Sequence, residues 1–232
     1  MANPAWVQDY GLVRSGGSNV QTISCPMTTG NIQILGVSWY HNNSDTCTVT
    51  DTTDTWTEVP GTYQHFASGG GGLGFSSCVF YKISTVTATK TVTVTAPTGG
   101  GSSYTQVGGA EFSNPYIGGS PIGAVSSANS NTAAVPNSGN ITTTFSNPIL
   151  FGYIYNDNTN ITNSGSGWTK IGSILFNAYL DEYRLPSSTG TFAATATTSV
   201  GAYTAAVVEF FGADYVPPSP TSSQPVVILF GL

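Results

Sequence analysis

Residues 85–95 alternate threonine with valine, alanine or lysine, and this run is the strongest constraint on the fold. The alternation places hydroxyl groups on one face of an extended chain and apolar groups on the other. Further strand-like runs occupy residues 20–23 and 32–40. Glu, Lys, Gln and Arg, which favour helices, are scarce, whereas Val, Thr, Tyr and Phe are abundant. We therefore predict an all-β protein with antiparallel sheets.

The near absence of charge excludes several classes of partner. Only 7% of the residues are charged, five of them basic, and the formal net charge is −6. No cluster of Lys or Arg can neutralise a run of phosphates, so we predict no nucleic-acid partner. Aromatic residues make up 12% of the chain, which indicates a buried core. The longest apolar stretch, residues 226–230, is too short to span a bilayer, so we expect no membrane insertion.

Similar landmarks recur in the same order on either side of a low-complexity stretch at residues 118–139. Residues 31–40, 56–59, 81–83 and 104–112 are matched by residues 147–155, 168–171, 183–185 and 203–210. The match pairs Gly36 with Gly152 and Trp39 with Tyr155. It predicts an internal duplication, with pseudo-repeats at about 18–117 and 140–214. Each half is expected to supply four or five strands, so both would form one jelly-roll-like (concanavalin-like) antiparallel β-sandwich over residues 18–214.

The two ends of the chain differ from this body. Residues 1–17 are predicted to form an N-terminal arm, and the Pro- and Ser-rich residues 215–225 an extended spacer. Residues 226–232 are predicted to form an apolar strand, which either folds back onto its own sheet or docks on a neighbouring subunit. The second alternative predicts a homo-oligomer. The candidate assembly residues are Val226, Val227, Ile228, Leu229, Phe230 and Trp6, although Trp6 could equally plug an end of the sandwich.

Residues that could carry hydrolysis are few. A Ser-His-Asp triad requires a histidine, and His41 and His65 lie in polar segments without a nucleophile elbow. Glu111 and Glu209 occupy matching positions before a phenylalanine and are the candidate carboxylate pair of a glycosidase. Buried hydrogen-bonding glutamates in a duplicated sheet would show the same placement, and this structural interpretation is favoured. We predict no catalytic residue and no enzymatic activity.

Three aspartates and three cysteines are the candidates for a cation site and for a disulfide or free thiols. Asp45, Asp51 and Asp54 lie close in sequence and offer oxygen ligands of the kind that Ca²⁺ accepts. The D-x-D-x-D-G pattern is absent, so a turn stabilised by these side chains is favoured, and no cofactor is predicted. Cys25, Cys47 and Cys78 form no C-x-x-C motif. Buried free thiols are favoured over a single disulfide.

Aromatic side chains are candidates for core and for ligand contact. Trp39, Trp56 and Trp168 are predicted to belong to the core. The candidate rings for stacking on sugars, if they are exposed, are Tyr63, Phe66, Tyr153 and Tyr155.

The sequence also resembles a known family. The motifs, in order, are Thr28-Thr29-Gly30-Asn31, Val37-Ser38-Trp39, Val49-Thr50-Asp51, Thr55-Trp56-Thr57, Tyr81-Lys82-Ile83, Thr91-Val92-Thr93-Val94 and Ala110-Glu111-Phe112. Their succession resembles a β-sandwich module of phage minor tail and virion surface proteins and of related bacterial secreted surface proteins. The sequence departs from that pattern at Thr53-Asp54-Thr55, where Gly-Asn is usual, and at Phe112-Ser113-Asn114, where Tyr-Ser-Gly is usual. The resemblance, which spans residues 18–214, implies a noncatalytic structural or adhesive role.

Two functions are consistent with these observations. The first residues show no basic and apolar segments of a signal peptide, whereas the composition is that of an exported surface protein. A non-enzymatic subunit of a phage virion, either a minor tail or a decoration protein, satisfies both, because virions assemble in the host cytoplasm and act outside it. Its partners would be other virion subunits, itself and host-surface glycans. The alternative is a carbohydrate-binding or adhesion module of a secreted bacterial surface protein.

Overall fold

The computed structural model of the protein describes residues 2–40, 45–52, 56–67, 74–97, 104–133, 135–157, 161–175, 178–198 and 201–217. These residues form strands, turns and irregular segments, and no helix occurs among them. Within this part of the chain there is accordingly no helix with the length and apolar character to cross a membrane. All strand pairs between the named strands are antiparallel, which confirms the predicted all-β antiparallel sandwich.

The first half of the chain forms two sheets. Its strands are β1 (Ala5–Arg14), β2 (Val20–Met27), β3 (Ile32–Tyr40), β4 (Thr48–Thr50), β5 (Thr57–Glu58), β6 (Gln64–Phe66), β7 (Phe75–Ile83), β8 (Ala88–Thr95) and β9 (Thr105–Ser113). The larger sheet has the order β1-β9-β3-β7-β5, and β6 also pairs with β7. The smaller sheet has the order β2-β8-β4, so the alternating threonine run supplies its central strand.

The second half repeats this plan with shorter outer strands. Its strands are β10 (Ile122–Ala133), β11 (Ile141–Thr142), β12 (Ile149–Asn156), β13 (Asn163–Ser164), β14 (Thr169–Leu175), β15 (Tyr179–Arg184), β16 (Thr191–Phe192), β17 (Ala196–Thr197) and β18 (Gly201–Phe210). The larger sheet has the order β10-β18-β12-β15-β14. The outer strands form two short pairs, β11-β16 and β13-β17.

The two large sheets share one strand order. In each, the first strand of the half lies at the edge and is followed by the last strand and then by the third. The registers also correspond, because Ile32 pairs with Phe112 on β9 and Ile149 pairs with Phe210 on β18. This shared order is what an internal duplication requires. The duplication itself and the jelly-roll assignment stay predictions.

The strands stack in four layers rather than the two expected from the sequence. A central core lies between the two large sheets and contains Ile34, Phe112, Phe151 and Phe210. A separate outer core lies between each large sheet and the small strands of its own half. Within the described residues, each half contains nine strands rather than the four or five predicted from the sequence. The additional strands form the outer layer of that half.

Burial on both faces explains the apolar character of the central strands. Along β3, Ile34 faces the central core, whereas the next residue, Leu35, faces the outer core of the first half. Every residue of β12 is buried. A strand that is covered on both faces loses the alternation of polar and apolar residues that marks a half-exposed strand.

The predicted glycine and aromatic matches between the halves are wrong by one residue. Gly36 faces the central core, because a β-carbon there would lie 2.7 Å from the Tyr179 hydroxyl group. Gly152 faces the outer core, because its β-carbon would lie 2.7 Å from Ala194. Trp39 and Tyr155 likewise belong to different cores. Side chains of a strand alternate between faces, so a shift of one position exchanges the layers.

Two predicted segment boundaries also differ from the structure. Residues 5–14, expected to be part of an arm, form β1, which pairs with β9 over most of its length. The low-complexity stretch at residues 118–139 contains β10, which pairs with β18. Glycine, serine and asparagine in this stretch have low strand propensity, and pairing with a long apolar neighbour overrides that propensity.

Candidate functional site

A pocket of about 480 Å³ opens where the ends of the two large sheets meet. We call it the junction pocket. Its lining comes from three segments, namely the turn between β2 and β3, the segment after β9 and the segment after β18. The lining residues are Thr29, Gly30, Asn31, Asn114, Pro115, Tyr116, Ile117, Gly118, Ala213 and Tyr215. Its volume lies within the range of about 300–1,000 Å³ that is usual for ligand pockets.

Backbone hydrogen bonds hold the last two segments together. Pro115 and Gly212 form an isolated antiparallel bridge. The Tyr116 amide donates to the Phe211 carbonyl group at 2.8 Å, and the Ala213 amide donates to the Asn114 carbonyl group at 2.9 Å. The ends of β9 and β18 therefore form one continuous wall of the junction pocket.

Aromatic rings pack around Tyr215. The Phe211 ring is stacked on it with 3.9 Å between centroids, and Tyr116 and Phe145 contact it edge-on at 4.9 and 4.5 Å. Offset stacked and edge-to-face contacts are favourable for such rings. Tyr215 and Tyr116 remain only partly buried, and both line the pocket. Phe211 covers one face of Tyr215, so this ring is held in place while part of it stays accessible.

The carboxylate of Glu111 anchors the turn that forms the opposite wall. Its Oε1 atom accepts hydrogen bonds from the Thr28 amide at 2.7 Å and from Asn31 Nδ2 at 2.8 Å. Gln8 Nε2 donates to the other carboxylate oxygen, and Gln33 Nε2 donates to Oε1 at 3.4 Å. The turn also pairs with the β7 end through the Gly30 amide and the Ser84 carbonyl group at 2.8 Å. The turn that forms this wall is therefore held in place by Glu111 of β9 and by the chain after β7.

These donors determine the ionisation of Glu111. The side chain is fully buried, and burial by itself raises the pKa of a carboxyl group. Hydrogen bonds from Gln8, Asn31 and Thr28 act in the opposite direction and leave the pKa of Glu111 below its ordinary value. Glu111 is thus a buried anion whose charge is balanced by directed N–H groups, and it serves to position the turn.

The junction pocket presents no charged side chain, because none of its lining residues is ionisable at neutral pH. It does present amide oxygens. Asn31 uses Nδ2 to bind Glu111, and Asn114 uses Nδ2 to bind the Asn3 carbonyl group at 3.0 Å. Within the described part of the chain neither Oδ1 atom has a hydrogen-bond donor, so both remain available as acceptors. The exposed Ile117 adds an apolar rim.

Comparison with known proteins adds no further assignment, since this chain matches no protein-family model, no curated protein sequence and no solved structure. The junction pocket is consequently interpreted from its own residues.

The predicted carboxylate pair is not brought together. Glu111 and Glu209 face opposite outer cores, each on the reverse side of its strand from the phenylalanine that enters the central core. Glu209 is 1% exposed and accepts a hydrogen bond from the Ala124 amide at 2.9 Å. Burial raises the pKa of Glu209, and the bond from Ala124 opposes that rise. Both glutamates are therefore buried hydrogen-bonding residues, as the structural interpretation predicts.

Two of the predicted stacking rings must be withdrawn. Tyr153 is fully buried and Tyr155 is 2% exposed, because both point into the central core between the large sheets. Tyr63 and Phe66 are partly buried. Tyr63 packs on Trp39, and Phe66 is stacked on Phe75 at 5.1 Å. The structure places none of these four in the junction pocket.

The weak calcium candidates do not converge. Asp51 accepts a hydrogen bond from Lys82 Nζ at 2.7 Å, in an ion pair whose side chains are almost entirely buried. Asp45 is exposed, and Asp54 lies outside the described residues. No group of three His, Cys, Asp or Glu residues is placed to hold a metal in the described ranges. Asp51 thus has a structural role in the ion pair.

The remaining candidates have mixed outcomes. His41 and residues 226–230 lie outside the described part of the chain, whereas His65 Nδ1 lies 2.8 Å from Ser76 Oγ. Trp6 belongs to β1 and is stacked on Tyr183 at 6.5 Å, with 42% of its surface exposed. It therefore packs against the second half of its own chain. The three predicted core tryptophans are buried, and all three cysteines are buried and unbridged.

Another buried carboxyl group, that of Asp181, lies between the large sheets. Asp181 of β15 is fully buried and points at β3 and β9, where Gly36 and Gly108 leave room for it. The Tyr179 hydroxyl group lies 3.2 Å from Asp181 Oδ2, and Oδ1 has no hydrogen-bond partner among the described residues. Burial raises the pKa of Asp181 well above its ordinary value. Sequence reasoning missed both this site and the junction pocket.

Proposed function

We propose that this protein is a non-enzymatic structural subunit of a virion surface and that it binds neutral glycans in the junction pocket. The observation that carries the proposal is the combination, in one pocket, of accessible tyrosine rings, amide oxygens and no charge. The second candidate is an adhesion module of a secreted bacterial surface protein. It shares the glycan site and lacks the assembly role.

The pocket chemistry favours a saccharide over a charged ligand. A charged ligand loses hydration on entry and needs an opposite charge or many directed hydrogen bonds in return. A sugar ring offers C–H groups to an aromatic face and hydroxyl donors to oxygen acceptors. Tyr116 and Tyr215 supply the faces, whereas Asn31 and Asn114 supply the acceptors.

The pocket is also preformed, which lowers the cost of binding. Glu111 holds Thr28 and Asn31, and Phe211 holds Tyr215. A side chain that is already ordered loses little conformational freedom when a ligand arrives. Weak individual contacts with a neutral sugar therefore suffice for measurable affinity.

The proposed assembly role is supported by the chain beyond β18. The described chain continues from Tyr215, which lines the pocket, to the exposed Val216 and Pro217. In the sequence a Pro- and Ser-rich stretch follows, and after it come the apolar residues 226–232. A spacer of this kind lets an apolar strand reach the sheet edge of a neighbouring subunit. Low charge reduces repulsion between identical neighbours in an array.

Binding to a library of neutral oligosaccharides, followed by titration calorimetry, tests the glycan role. We expect Tyr215→Ala and Tyr116→Ala each to weaken binding of a positive glycan about fivefold to tenfold, the effect of one aromatic contact. Tyr104→Ala is the matched control, since Tyr104 is a partly buried tyrosine that packs on Tyr40 outside the pocket. Wild-type affinity in both pocket variants, or no binding to any neutral glycan, would overturn this role.

Light scattering after size exclusion separates the two candidate functions. The full chain is compared with a version ending at Ser219 at the same concentration. A defined oligomer that becomes monomeric on truncation supports the virion subunit. Monomers in both samples contradict assembly through the tail and favour the adhesion module.

A further inference from the structure

Two cysteines meet in the outer core of the first half, one from the larger sheet and one from the segment just before the smaller sheet. Cys78 lies in the middle of β7, and Cys47 immediately precedes β4 of the smaller sheet. Their sulfur atoms are 3.9 Å apart. Both side chains are buried, at 4% exposure for Cys47 and 0% for Cys78. A covalent bond between them would join the two layers of the first half.

We propose that Cys47 and Cys78 form a disulfide bond when the protein meets a low-molecular-weight disulfide such as oxidised glutathione. The sulfur atoms must approach from 3.9 Å to about 2.05 Å, the length of the bond. The backbone of Cys78 is held by pairing with Val37 of β3. Residues 45–47 belong to no strand, so Cys47 makes the movement.

The order of the exchange follows from accessibility. Cys47 follows the exposed Asp45 and Thr46. It is therefore the first thiol to reach an oxidant when residues 45–47 move away from the outer core. Its thiolate attacks one sulfur of oxidised glutathione and expels one glutathione thiolate, which takes up a proton. Cys78 then loses its proton and attacks the Cys47 sulfur, and the second glutathione leaves. Two protein thiols are oxidised to one disulfide, and one glutathione disulfide is reduced to two thiols.

Local chemistry makes the reduced state persist in a reducing compartment. Burial raises the pKa of the Cys78 thiol well above its ordinary value, and the adjacent Cys47 raises it further. A thiolate is the reactive form, so a buried pair reacts slowly until the protein opens or folds in oxidising surroundings. Cys25 lies on β2 in the same outer core and has no sulfur contact among the described residues, so it stays out of the bridge.

The bond would stabilise the first half. It closes a loop between residues 31 positions apart, which restricts the unfolded chain. For a protein of this size we expect the melting temperature to rise by roughly 5–10 °C on oxidation. Reduction with a dithiol should reverse the shift.

Refolding from urea in a mixture of oxidised and reduced glutathione exposes every thiol and provides the test. We expect the intact mass to fall by about 2 Da, and peptide mapping to find Cys47 joined to Cys78. Cys25→Ser is the matched control and should keep both the mass change and the rise in melting temperature. Cys47→Ser and Cys78→Ser should each lose both.

Two outcomes would overturn the proposal. One is three alkylatable thiols in wild-type protein after oxidative refolding. The other is a bridge that includes Cys25, in which case Cys25→Ser abolishes the mass change and peptide mapping finds Cys25 in the linked pair. Glycan binding is measured separately, so failure here leaves the proposed function untouched.

Discussion

Glu111 and Asp181 are both fully buried carboxyl groups of large sheets, yet their pKa values are shifted in opposite directions. Glu111 receives hydrogen bonds from Gln8, Thr28, Asn31 and Gln33. Asp181 has one neighbouring hydroxyl group, and its Oδ1 atom has no partner in the described part of the chain. The pKa of Glu111 falls below its ordinary value, whereas the pKa of Asp181 rises well above it. Burial alone therefore does not determine ionisation, because the number of directed donors decides its direction.

The largest expected effect comes from removing the acceptor with many donors. Glu111→Ala leaves the Thr28 amide and three side-chain amides without their acceptor, and we expect a loss of about 3 kcal/mol in unfolding free energy. Glu209→Ala, at the corresponding position of the second half, removes one such bond and should cost about 1 kcal/mol. Urea unfolding of both variants measures the difference. Equal losses would show that the donors around Glu111 contribute no more than the single bond at Glu209.

A smaller loss is expected from filling the space beside Asp181. A β-carbon in Gly36→Ala would collide with Asp181 Oδ1 and lie 2.7 Å from the Tyr179 hydroxyl group. We expect the free energy of unfolding to fall by about 2 kcal/mol, which is typical of overpacking in a buried core. Gly16→Ala is the matched control, because no atom lies within 4 Å of its β-carbon. Adding Asp181→Ala should recover part of the loss, and a purely additive double variant would contradict a direct collision.

The smallest expected effect has the opposite sign. Asp181→Asn removes a carboxyl group that must be neutral or unpaired in the core. We therefore expect the free energy of unfolding at pH 8 to rise by about 1 kcal/mol, and the melting temperature by roughly 2–4 °C. Because the folded pKa of Asp181 is raised, its stability contribution is complete below the unfolded pKa and is lost as pH rises. The gain should therefore shrink towards pH 4. Thermal unfolding across this range measures it, with the exposed Asp214→Asn as control.

Glu182 adds to the same pH dependence from the other face of β15. Burial raises its pKa to about 8, against hydrogen bonds from the Gly165 and Thr195 amides. Wild-type stability should accordingly decline as pH rises from about 4.5 to 8. Glu111 has the reverse pH dependence, because its pKa is lowered in the folded state. Its ionised form stabilises the fold at pH values above the ordinary pKa of a glutamate, and this contribution is lost as pH falls. A Tm that rises steadily up to pH 8 would be evidence against the raised pKa values.

The sequence predicts strands well where a single strand carries its own pattern. Residues 32–40 were expected to be a strand and form β3 with the same bounds, because the run is apolar and is bounded by Gly30 and Asn31. The strand β10 was not expected, since its Gly, Ser and Asn residues become extended only by pairing with β18. A strand can be predicted from its own residues only when those residues favour the extended conformation by themselves. A strand that becomes extended mainly by pairing with a neighbour shows no such local pattern.

The sites were harder to predict than the strands. Exposure of Tyr153 could not be inferred from β12, because a four-layer arrangement buries both faces of that strand. The junction pocket combines three segments that are distant along the chain. One signal is present in the sequence, namely a tyrosine within five residues of the end of the last strand of each half, Tyr116 after β9 and Tyr215 after β18.

The segment before β1 and the segment after β18 lie beside each other. A β-carbon at Gly212 would lie 2.8 Å from Pro4, and Asn114 binds the Asn3 carbonyl group. Adjacent ends are the condition under which a domain can be inserted into a surface loop of another protein or circularly permuted. We therefore expect that the fold can be inserted into another protein as a single domain, with the junction pocket next to the point of attachment.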